Sequence, residues 1–310
     1  MTLIDVAKLK ADDRLVALLD EASLAVPEIR VIPGMPISGT SFQTIVRTLL
    51  PTVAFRTANN GSATSKSGYV NRRFSTYPIT PRFEVDEVVA DQHPQKAAGA
   101  LAEEGVAMMT ASLIQAARVF WYGQAFDAAA FPGCRELVTT ANSIDAGGTG
   151  DSRTECYLIR TGPLYSQWIF GEGGMIQLGE PRKETLTGEN SESLDGWVQT
   201  AKGYIGAMHR SPRTIVRIYG ITSSAKLTDA ILLDAYSRFP DEAPPTDIFC
   251  NMLGQTTLTS SRVTTEVRQP KLATDWNGIP IHRTGAIITG AADAIPTTGT
   301  AVSNVFGNED

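Results

Sequence analysis

Cysteine is scarce in this sequence of 310 residues, which contains only Cys134, Cys156 and Cys250. The three lie far apart, they form no C-x-x-C motif, and no histidine stands at the spacing of a zinc ligand. A disulfide framework and a structural zinc site of the usual kinds are therefore excluded. Scattered thiols are typical of a reduced chain, so we expect a protein kept inside a cell, or inside something that a cell makes.

Signal-peptide features are also lacking. Residues 1–22 alternate charged and apolar residues, without the uninterrupted apolar core and the cleavage site of a secretory signal. Further along, charged residues interrupt the apolar runs that would be long enough to cross a bilayer. We therefore expect no contact with a membrane.

The chain has no excess of positive charge. Its formal net charge is −6 at pH 7, which argues against a protein whose whole surface grips nucleic acid, although a basic region can be hidden in that total. Hydrophobic residues make up 42% of the chain and charged residues 19%. These proportions are ordinary for a globular protein of one large or two medium domains.

Catalytic signatures are absent. Neither G-x-S-x-G nor H-E-x-x-H occurs, and His93, His209 and His282 stand in unrelated contexts. Because a reactive thiol needs a nearby base, Cys134 with His209 or His282 is the nucleophile and base pair to consider. A cytosolic hydrolase built on that pair is the most remote of the alternatives.

Two polar stretches resemble ligand sites without meeting their requirements. The residues around Lys66 resemble a phosphate-binding loop, but Asn60 and Ser65 occupy positions where that motif needs glycine. The acidic run over residues 84–87 lacks the glycine and the ligand spacing of a calcium loop. We therefore predict no catalytic residue, no cofactor and no bound metal.

The stretch that organises the chain runs from Pro94 to Gly123. No proline interrupts the residues between these two, and their apolar positions form the broad band of an amphipathic helix. The band consists of Leu101, Val106, Met108, Met109, Leu113, Ala116, Ala117, Val119 and Phe120. A helix over this range would be about 40 Å long.

A long hairpin is predicted ahead of this helix. Residues 43–56 are rich in strand-forming side chains, residues 58–68 form a polar tip, and residues 69–90 return as strand. Pro78 and Pro81 disfavour a central strand, so the hairpin should lie at an edge or project. An isolated hairpin is marginally stable in water, so a projecting one needs a surface to lie on.

The distribution of charge identifies a candidate surface. No acidic residue occurs between Glu28 and Glu84, whereas the following residues 84–104 are strongly acidic. The basic residues in the first stretch are Arg30, Arg47, Arg56, Lys66, Arg72, Arg73 and Arg82. The basic hairpin of one copy can therefore lie on the acidic segment of the next, in a head-to-tail contact that closes into rings or extends into larger assemblies. The alternative is that both charge blocks are solvated faces.

The predicted contact between copies has basic and acidic members. The basic members are Arg56, Lys66, Arg72, Arg73 and Arg82. The acidic members are Glu84, Asp86 and Glu87.

After Gly123 the pattern becomes mixed α/β, and residues 3–25 before the hairpin predict one or two short helices. Strands are predicted over residues 155–160, 165–170, 196–209 and 214–221. Helices are predicted over residues 228–237, with Thr228 as the cap, and around 247–253. Two further strands are predicted around a turn at residues 276–278. The sequence contains no internal repeat, and no linker clearly separates two domains.

The order of these parts resembles a tailed-bacteriophage major capsid protein of the Hong Kong 97 type. The likeness is to a podophage-associated subfamily and covers nearly the whole chain. It is carried by PTVAFRTANNG, ARVFWYG, CYLIRTGPLYSQWIFGEGG, WVQTAKGYIGAMHRSPRTIVRIYGI and DWNGIPIHRTGAIITG. Their order and spacing carry the resemblance, since none is a catalytic signature.

The resemblance implies an α+β fold with an N-terminal arm, an extended loop, a spine helix and a mixed α/β axial domain. The mapping gives residues 1–42 as the arm, 43–93 as peripheral-domain strands with the extended loop at about 53–83, 94–123 as the spine helix, 124–262 as mostly axial domain, and 263–310 as C-terminal strands returning to the peripheral domain and a tail. The family's prototype links its subunits through a lysine and an asparagine. Lys66 lies at the hairpin tip, but no motif supplies its partner, so we predict no cross-link.

The resemblance also implies a function. Copies of the chain would assemble as hexamers and pentamers into an icosahedral head that encloses double-stranded DNA, in the host cytoplasm and then in the virion. A separate scaffolding protein, a portal and a decoration protein are the partners it suggests. The second reading is the shell of an encapsulin-type bacterial compartment, which shares the fold and encloses protein cargo.

Overall fold

The computed structural model describes residues 26–61, 64–174, 176–187, 191–263 and 272–290. The short helices predicted within residues 3–25 lie outside these ranges. The helices are α1 Pro27–Val31, α2 Glu87–Gln92, α3 Lys96–Tyr122, α4 Cys134–Leu137, α5 Asp229–Ser237 and α6 Met252–Val263. The strands are β1 Gly34–Pro36, β2 Ser41–Leu49, β3 Gly68–Ser75, β4 Tyr77–Ile79, β5 Arg82–Asp86, β6 Ser143–Asp145, β7 Thr154–Ile159, β8 Ser166–Phe170, β9 Gln177–Leu178, β10 Arg182–Thr187, β11 Ser193–His209, β12 Ile215–Ile221, β13 Asp247–Cys250, β14 Asp275–Trp276 and β15 Ile279–Arg283.

Helix α3 confirms the predicted long helix and corrects its start. The 27 residues of α3 span about 40 Å. The helix ends before Gly123, as predicted, where φ is 61° and where a Cβ would lie 2.3 Å from the backbone nitrogen of Gly133. It begins after Pro94 rather than at it, because His93 adopts the extended backbone that a following proline favours.

One face of α3 is buried in the protein. Leu101, Met109, Leu113 and Phe120 from the predicted apolar band are at most 5% exposed. By length and composition, the helical residues 96–125 would also be able to cross a membrane. Our expectation that the charged residues of this stretch exclude a membrane span was therefore wrong on composition alone. A core helix of this length meets the same criterion, and the buried face of α3 belongs to the hydrophobic core.

Strand β11 organises a seven-stranded sheet. This strand of 17 residues pairs with β8, β10, β4, β5 and β9 along different parts of its length, and β1 pairs with β8. Helix α3 and this sheet share one hydrophobic core, to which the sheet contributes Trp168, Phe170, Ala201 and Ile205. The length of β11 lets one strand join segments that are far apart in the sequence.

A six-stranded sheet has the order β14-β15-β13-β7-β12-β6. Its strand β7 is buried on both faces, since Tyr157 and Ile159 belong to the core under α3 while Cys156 and Leu158 belong to a second core. Helices α5 and α6 contribute to that second core. Burial on both faces explains why the residues of β7 are mostly apolar rather than alternating with polar ones.

The C-terminal end of α3 joins the two sheets. Phe120 contacts Trp168 of the seven-stranded sheet at a ring-centroid distance of 4.6 Å. The next residue, Trp121, stacks on Tyr157 of the six-stranded sheet at 4.8 Å and contacts Phe249 of the same sheet at 5.1 Å. Two consecutive side chains thus connect both sheets to one helix.

The structure corrects some predicted elements and confirms others. Residues 247–250 form strand β13 in the interior of the six-stranded sheet, so the short helix predicted around 247–253 is wrong, and helix α6 begins only at Met252. The strands predicted at 155–160 and 165–170 are present but lie in different sheets. Helix α5 is present, and the Thr228 hydroxyl accepts a hydrogen bond from the Ile231 amide at 3.3 Å, as its predicted cap.

The predicted hairpin is present, but its return strand is shorter than predicted. β2 and β3 pair antiparallel in a sheet of their own, from Ser41 opposite Ser75 to Leu49 opposite Gly68. Beyond Ser75 the chain leaves the hairpin, and β4 and β5 pair with β11. The prediction that the return strand extends to residue 90 is therefore wrong. Long helix and sheets together confirm the α+β class.

The C-terminal strands form around the predicted turn. Asn277 and Gly278 both have positive φ, at 48° and 79°, as a tight two-residue hairpin turn requires. β15 pairs in parallel with β13, and the Ile288 amide beyond it donates a hydrogen bond to the Tyr122 hydroxyl at 3.0 Å. The division of the chain into arm, peripheral and axial domains stays a prediction.

A buried carboxyl group lies beside Trp121. Glu28 is fully buried, and its Oε1 accepts a hydrogen bond from Trp121 Nε1 at 2.8 Å. Burial raises the pKa of this carboxyl, and hydrogen bonds from Thr284 and Trp121 offset only part of that effect. The folded protein therefore favours the protonated form of Glu28.

This raised pKa predicts a pH dependence of stability. The stabilisation from Glu28 is fully present below its unfolded pKa and is lost as the pH rises through its folded pKa. Glu28→Gln keeps the shape and removes the titration, so we expect the variant to gain on the wild type as the pH rises. Urea unfolding of both proteins at several pH values measures the difference in their unfolding free energies. The series runs from about pH 5 to about pH 8, the range in which proteins are usually most stable. A difference in unfolding free energy that does not change with pH would contradict this assignment.

Candidate assembly interface

The hairpin formed by β2, β3 and the described connecting residues 50–61 and 64–67 exposes many large apolar side chains. They are Ile45, Leu49, Leu50, Val53, Phe55 and Tyr69. Val53 is 93% exposed and Phe55 is fully exposed. A monomeric protein seldom leaves such a cluster in water, and a two-stranded sheet by itself is marginally stable. The hairpin therefore has the surface of a part that another molecule covers.

The two faces of β3 differ. Val70, Arg72 and Phe74 are half-buried, whereas Tyr69 and Arg73 point to the exposed face. The period of two along a strand places successive side chains on opposite faces. Arg72 and Arg73, which we grouped in the sequence, therefore have different environments.

The hairpin residue Arg72 is held within its own chain. Its Nη1 donates a hydrogen bond to the backbone oxygen of Arg210, and Arg210 Nη2 donates to the hydroxyl of Thr44. Burial lowers the pKa of the Arg72 guanidinium, which remains charged at neutral pH.

Three predicted basic residues are available on the hairpin. Arg56 and Lys66 lie on the exposed connecting residues, where Arg56 Nη1 donates to the backbone oxygen of Asn60 at 2.9 Å. Arg73 lies on the exposed face of β3. Within the described ranges, no ion pair forms between these three side chains and an acidic residue of the same chain.

Arg82 lies on the body of the protein instead of the hairpin. It is part of β5, and its Nη2 lies 3.2 Å from both Glu84 and Glu184. Glu84 is therefore paired within the chain, through an exposed contact that solvent screens.

The other two predicted acids also have partners. Asp86 caps α2, since its Oδ1 accepts a hydrogen bond from the Val88 amide at 3.0 Å. Glu87 forms an ion pair with Lys183 of β10. The structure thus brings Glu84, Asp86 and Glu87 together along β5 and α2, with a basic neighbour beside the first and the last.

Sequence reasoning missed two apolar residues next to these acids. Val88 and Val89 of α2 are 63% and 56% exposed. We read them as part of a returning strand, and only the helix reveals that they lie on the surface. The sequence signal for their exposure was that these two adjacent valines stand within an acid-rich stretch. We call Glu84, Asp86, Glu87, Val88 and Val89 the acidic edge.

The remote nucleophile and base pair does meet in the structure, but it is buried. Cys134 Sγ lies 3.7 Å from His209 Nε2, and His209 Nδ1 lies 3.2 Å from the hydroxyl of Ser166. Burial lowers the pKa of His209 to about 3 and raises that of Cys134 well above its usual value. Both groups are therefore neutral at pH 7, and the thiol is 0% exposed, so the pair has neither the charge nor the access of a catalytic dyad.

The other candidate base, His282, pairs with Asp247 instead of with Cys134. His282 Nε2 lies 3.0 Å from Asp247 Oδ1. Burial raises the pKa of Asp247, but hydrogen bonds from His282, Thr246 and Thr161 outweigh it and hold the pKa below its usual value. Among the described residues, no cluster of three or more His, Cys, Asp or Glu side chains is placed to hold an ion.

Comparisons with known proteins identify the fold. A chain from a near-atomic structure of bacteriophage Epsilon15 superposes with a TM-score of 0.63 at 20% identity, over 84% of this chain and 86% of that chain. The capsid of bacteriophage JBD30 superposes with a TM-score of 0.52 at 11% identity, over 86% of this chain and 92% of that chain. These structures share the fold, as the resemblance to the Hong Kong 97 type implied.

The curated proteins include none that matches this sequence. The family model described as major capsid protein GP7 matches residues 10–293, which is most of the chain. The matched residues include the hairpin, the long helix and strands of both sheets. This chain belongs to the major capsid protein GP7 family.

Proposed function

We propose that this major capsid protein builds the shell of a tailed-phage head by laying the hairpin of each copy over the acidic edge of the next. The observation that carries the proposal is the fully exposed Phe55, in a cluster of apolar side chains on a two-stranded sheet. The family assignment supports a role in the shell. The hairpin and the acidic edge are the surfaces through which we propose that neighbouring copies meet.

Apolar burial is the larger part of the expected contact energy. Val53 and Phe55 would meet Val88 and Val89, and fully burying one large apolar side chain contributes about 1.5–3 kcal/mol. Each of the four is more than half exposed in the single chain. Within the part of the chain that the structure describes, these four side chains are exposed, and a neighbouring copy would cover them.

Attraction between opposite charges would orient the hairpin on the neighbouring copy. Arg56, Lys66 and Arg73 on the hairpin would face Glu84 and Glu87 on the neighbour, whose present partners are exposed side chains that can be shared or exchanged. Opposite charge favours the correct register over contacts between like surfaces. Asp86 keeps its role as the cap of α2 in this arrangement.

The contact is heterologous, since one surface meets a different one. Such contacts close into rings when the rotation between copies allows it. Hexamers and pentamers that combine into an icosahedral shell are the rings that the capsid family implies. Because every subunit both gives a hairpin and receives one, the contact is repeated around each ring.

The remaining parts of the proposal follow from the capsid role. The shell would enclose double-stranded DNA, assemble in the host cytoplasm and become part of the virion. A separate scaffolding protein, a portal and a decoration protein are its proposed partners. The chain would act without a cofactor and without enzymatic activity, which agrees with the burial of Cys134 and His209.

Reversing one hairpin charge tests the contact. We expect Arg73→Glu to raise the concentration needed for shell formation about tenfold, which corresponds to about 1.4 kcal/mol, and we expect added salt to reduce the difference. Light scattering over a concentration series measures it, and Arg73→Lys, which keeps the charge, is the matched control. If Arg73→Glu assembles like Arg73→Lys, the charge part of the proposal is wrong.

A further inference from the structure

The hairpin is joined to the body of the protein at a narrow root. The Thr76 amide and the Thr76 hydroxyl both donate hydrogen bonds to the backbone oxygen of Thr40, at 2.8 Å and 3.0 Å. At Gly206 of β11 a Cβ would lie 2.7 Å from the backbone oxygen of Ser75, so the sheet approaches the root closely. The root fixes where the hairpin begins, but two strands leaving one point can still tilt.

One residue of the body holds both strands further out. The backbone oxygen of Arg210 accepts a hydrogen bond from Arg72 of β3, and the Arg210 guanidinium donates to Thr44 of β2. Thr44 and Arg72 are direct partners in the hairpin register. Arg210 therefore contacts two residues that lie opposite each other across the hairpin.

Arg210 is itself fixed in position. It follows His209, the last residue of β11, which is buried. Its amide donates a hydrogen bond to the backbone oxygen of Tyr165 at 2.9 Å. The contact from Arg210 to the hairpin thus begins at a hydrogen-bonded position directly after the end of β11.

A small change in the angle at the root displaces the tip of the hairpin by a large distance. β2 has 9 residues and so extends about 30 Å at about 3.4 Å per residue. A tilt of about 10° at the root would move the far end by about 5 Å over that strand length. This exceeds the separation of about 4 Å at which apolar side chains make contact.

We infer that Arg210 is a positioning residue that sets the angle at which the hairpin leaves the body, and thereby the geometry of the contact with the neighbouring copy. The inference rests on the proposed function, because the angle matters only if the hairpin reaches another subunit. The Arg210 contact restricts tilt without touching the apolar and basic side chains that meet the neighbour. A change at Arg210 should therefore alter the geometry of the contact between copies without removing the side chains that hold the copies together.

The angle can be measured on unassembled full-length subunits. Spin labels at Asn59→Cys on the tip and Lys226→Cys on the body report the distance between them, since the native Cys134, Cys156 and Cys250 are buried. We expect Thr44→Val, which keeps the β-branched shape and removes the hydroxyl, and Arg210→Met to broaden the distance distribution by about 5 Å, the displacement of a tilted strand. Ser75→Ala, on the exposed face of β3, is the matched control and should leave the distribution narrow.

Shell geometry is the second measurement. In Thr44→Val and Arg210→Met we expect particles of mixed diameter at nearly the wild-type concentration threshold, because the contacting side chains are intact. A distance distribution as narrow as that of Ser75→Ala would overturn the inference, and so would uniform shells from subunits with a broadened distribution. Loss of the proposed function gives a different pattern, in which the tip residues Val53 and Phe55 can be changed without any effect on assembly.

Discussion

We expect shell formation to be lost when Val53 and Phe55 are both replaced by aspartate, while the subunit itself stays folded. Both side chains are exposed in the single chain, so the free energy of unfolding should change by less than about 0.5 kcal/mol. In the assembled contact the same change removes about 3–6 kcal/mol of apolar burial and places two charges against the acidic edge. This corresponds to an increase of at least about a hundredfold in the concentration needed for assembly.

Sedimentation velocity separates the two effects of this change. The expected result is a folded subunit or small oligomer at concentrations where the wild type forms shells. Phe55→Leu is the matched control, because it keeps an apolar side chain at the tip and should assemble within a few fold of the wild type. Shells from the double aspartate variant at the wild-type threshold would show that the hairpin tip is not part of the contact.

The second large effect is expected inside the protein, where Glu155 and Arg217 form a buried ion pair. Their side chains are at most 2% exposed. Tyr157 donates a hydrogen bond to the same carboxylate, and Arg135 Nη1 lies 4.0 Å from it. The network connects α4, β7 and β12 on the side of the six-stranded sheet that faces α3. Because both side chains are buried away from the solvent-accessible surface, each charge depends on the other for its compensation.

Arg217→Met should therefore destabilise the subunit by about 3–5 kcal/mol, since it leaves Glu155 with a buried negative charge that is only partly compensated. The double variant Glu155→Gln with Arg217→Met should recover much of that loss, because it removes both charges. Arg182→Met, at the exposed pair of Arg182 with Glu184, is the control and should cost less than about 1 kcal/mol. Urea unfolding measures all three, and a loss from Arg217→Met as small as that of the control would contradict the network.

Local features of the fold could be predicted from the sequence because their causes are local. The apolar band and Gly123 gave the long helix and its end. Asn277 and Gly278 gave the C-terminal turn, since both residues adopt positive φ readily. The strand-rich stretches on either side of a polar tip gave the hairpin.

Pairing between distant segments could not be predicted. β5 pairs with β11 although residues 86 and 196 are far apart in the sequence, so the return strand appeared to belong to the hairpin. β13 is short, and four buried residues are too few for periodicity to distinguish strand from helix. Its strand form depends on β7 and β15 on either side.

The candidate interface was partly predictable for the same reason. Charge composition identified the basic hairpin and the acidic segment, but it could not show that Arg82 pairs with Glu184 and Glu87 with Lys183 of β10. Nor could it separate Arg72, which contacts Arg210, from Arg73, which is exposed. The role of these residues between copies stays a prediction.

Cryo-electron microscopy of shells formed by the purified protein would show which subunit each hairpin covers. We expect residues 50–67 of one subunit to lie over α2 of its neighbour, with Phe55 in contact with Val88 or Val89 at about 4 Å. A hairpin folded back on its own body, or covering a surface of the neighbour other than the acidic edge, would contradict the proposal.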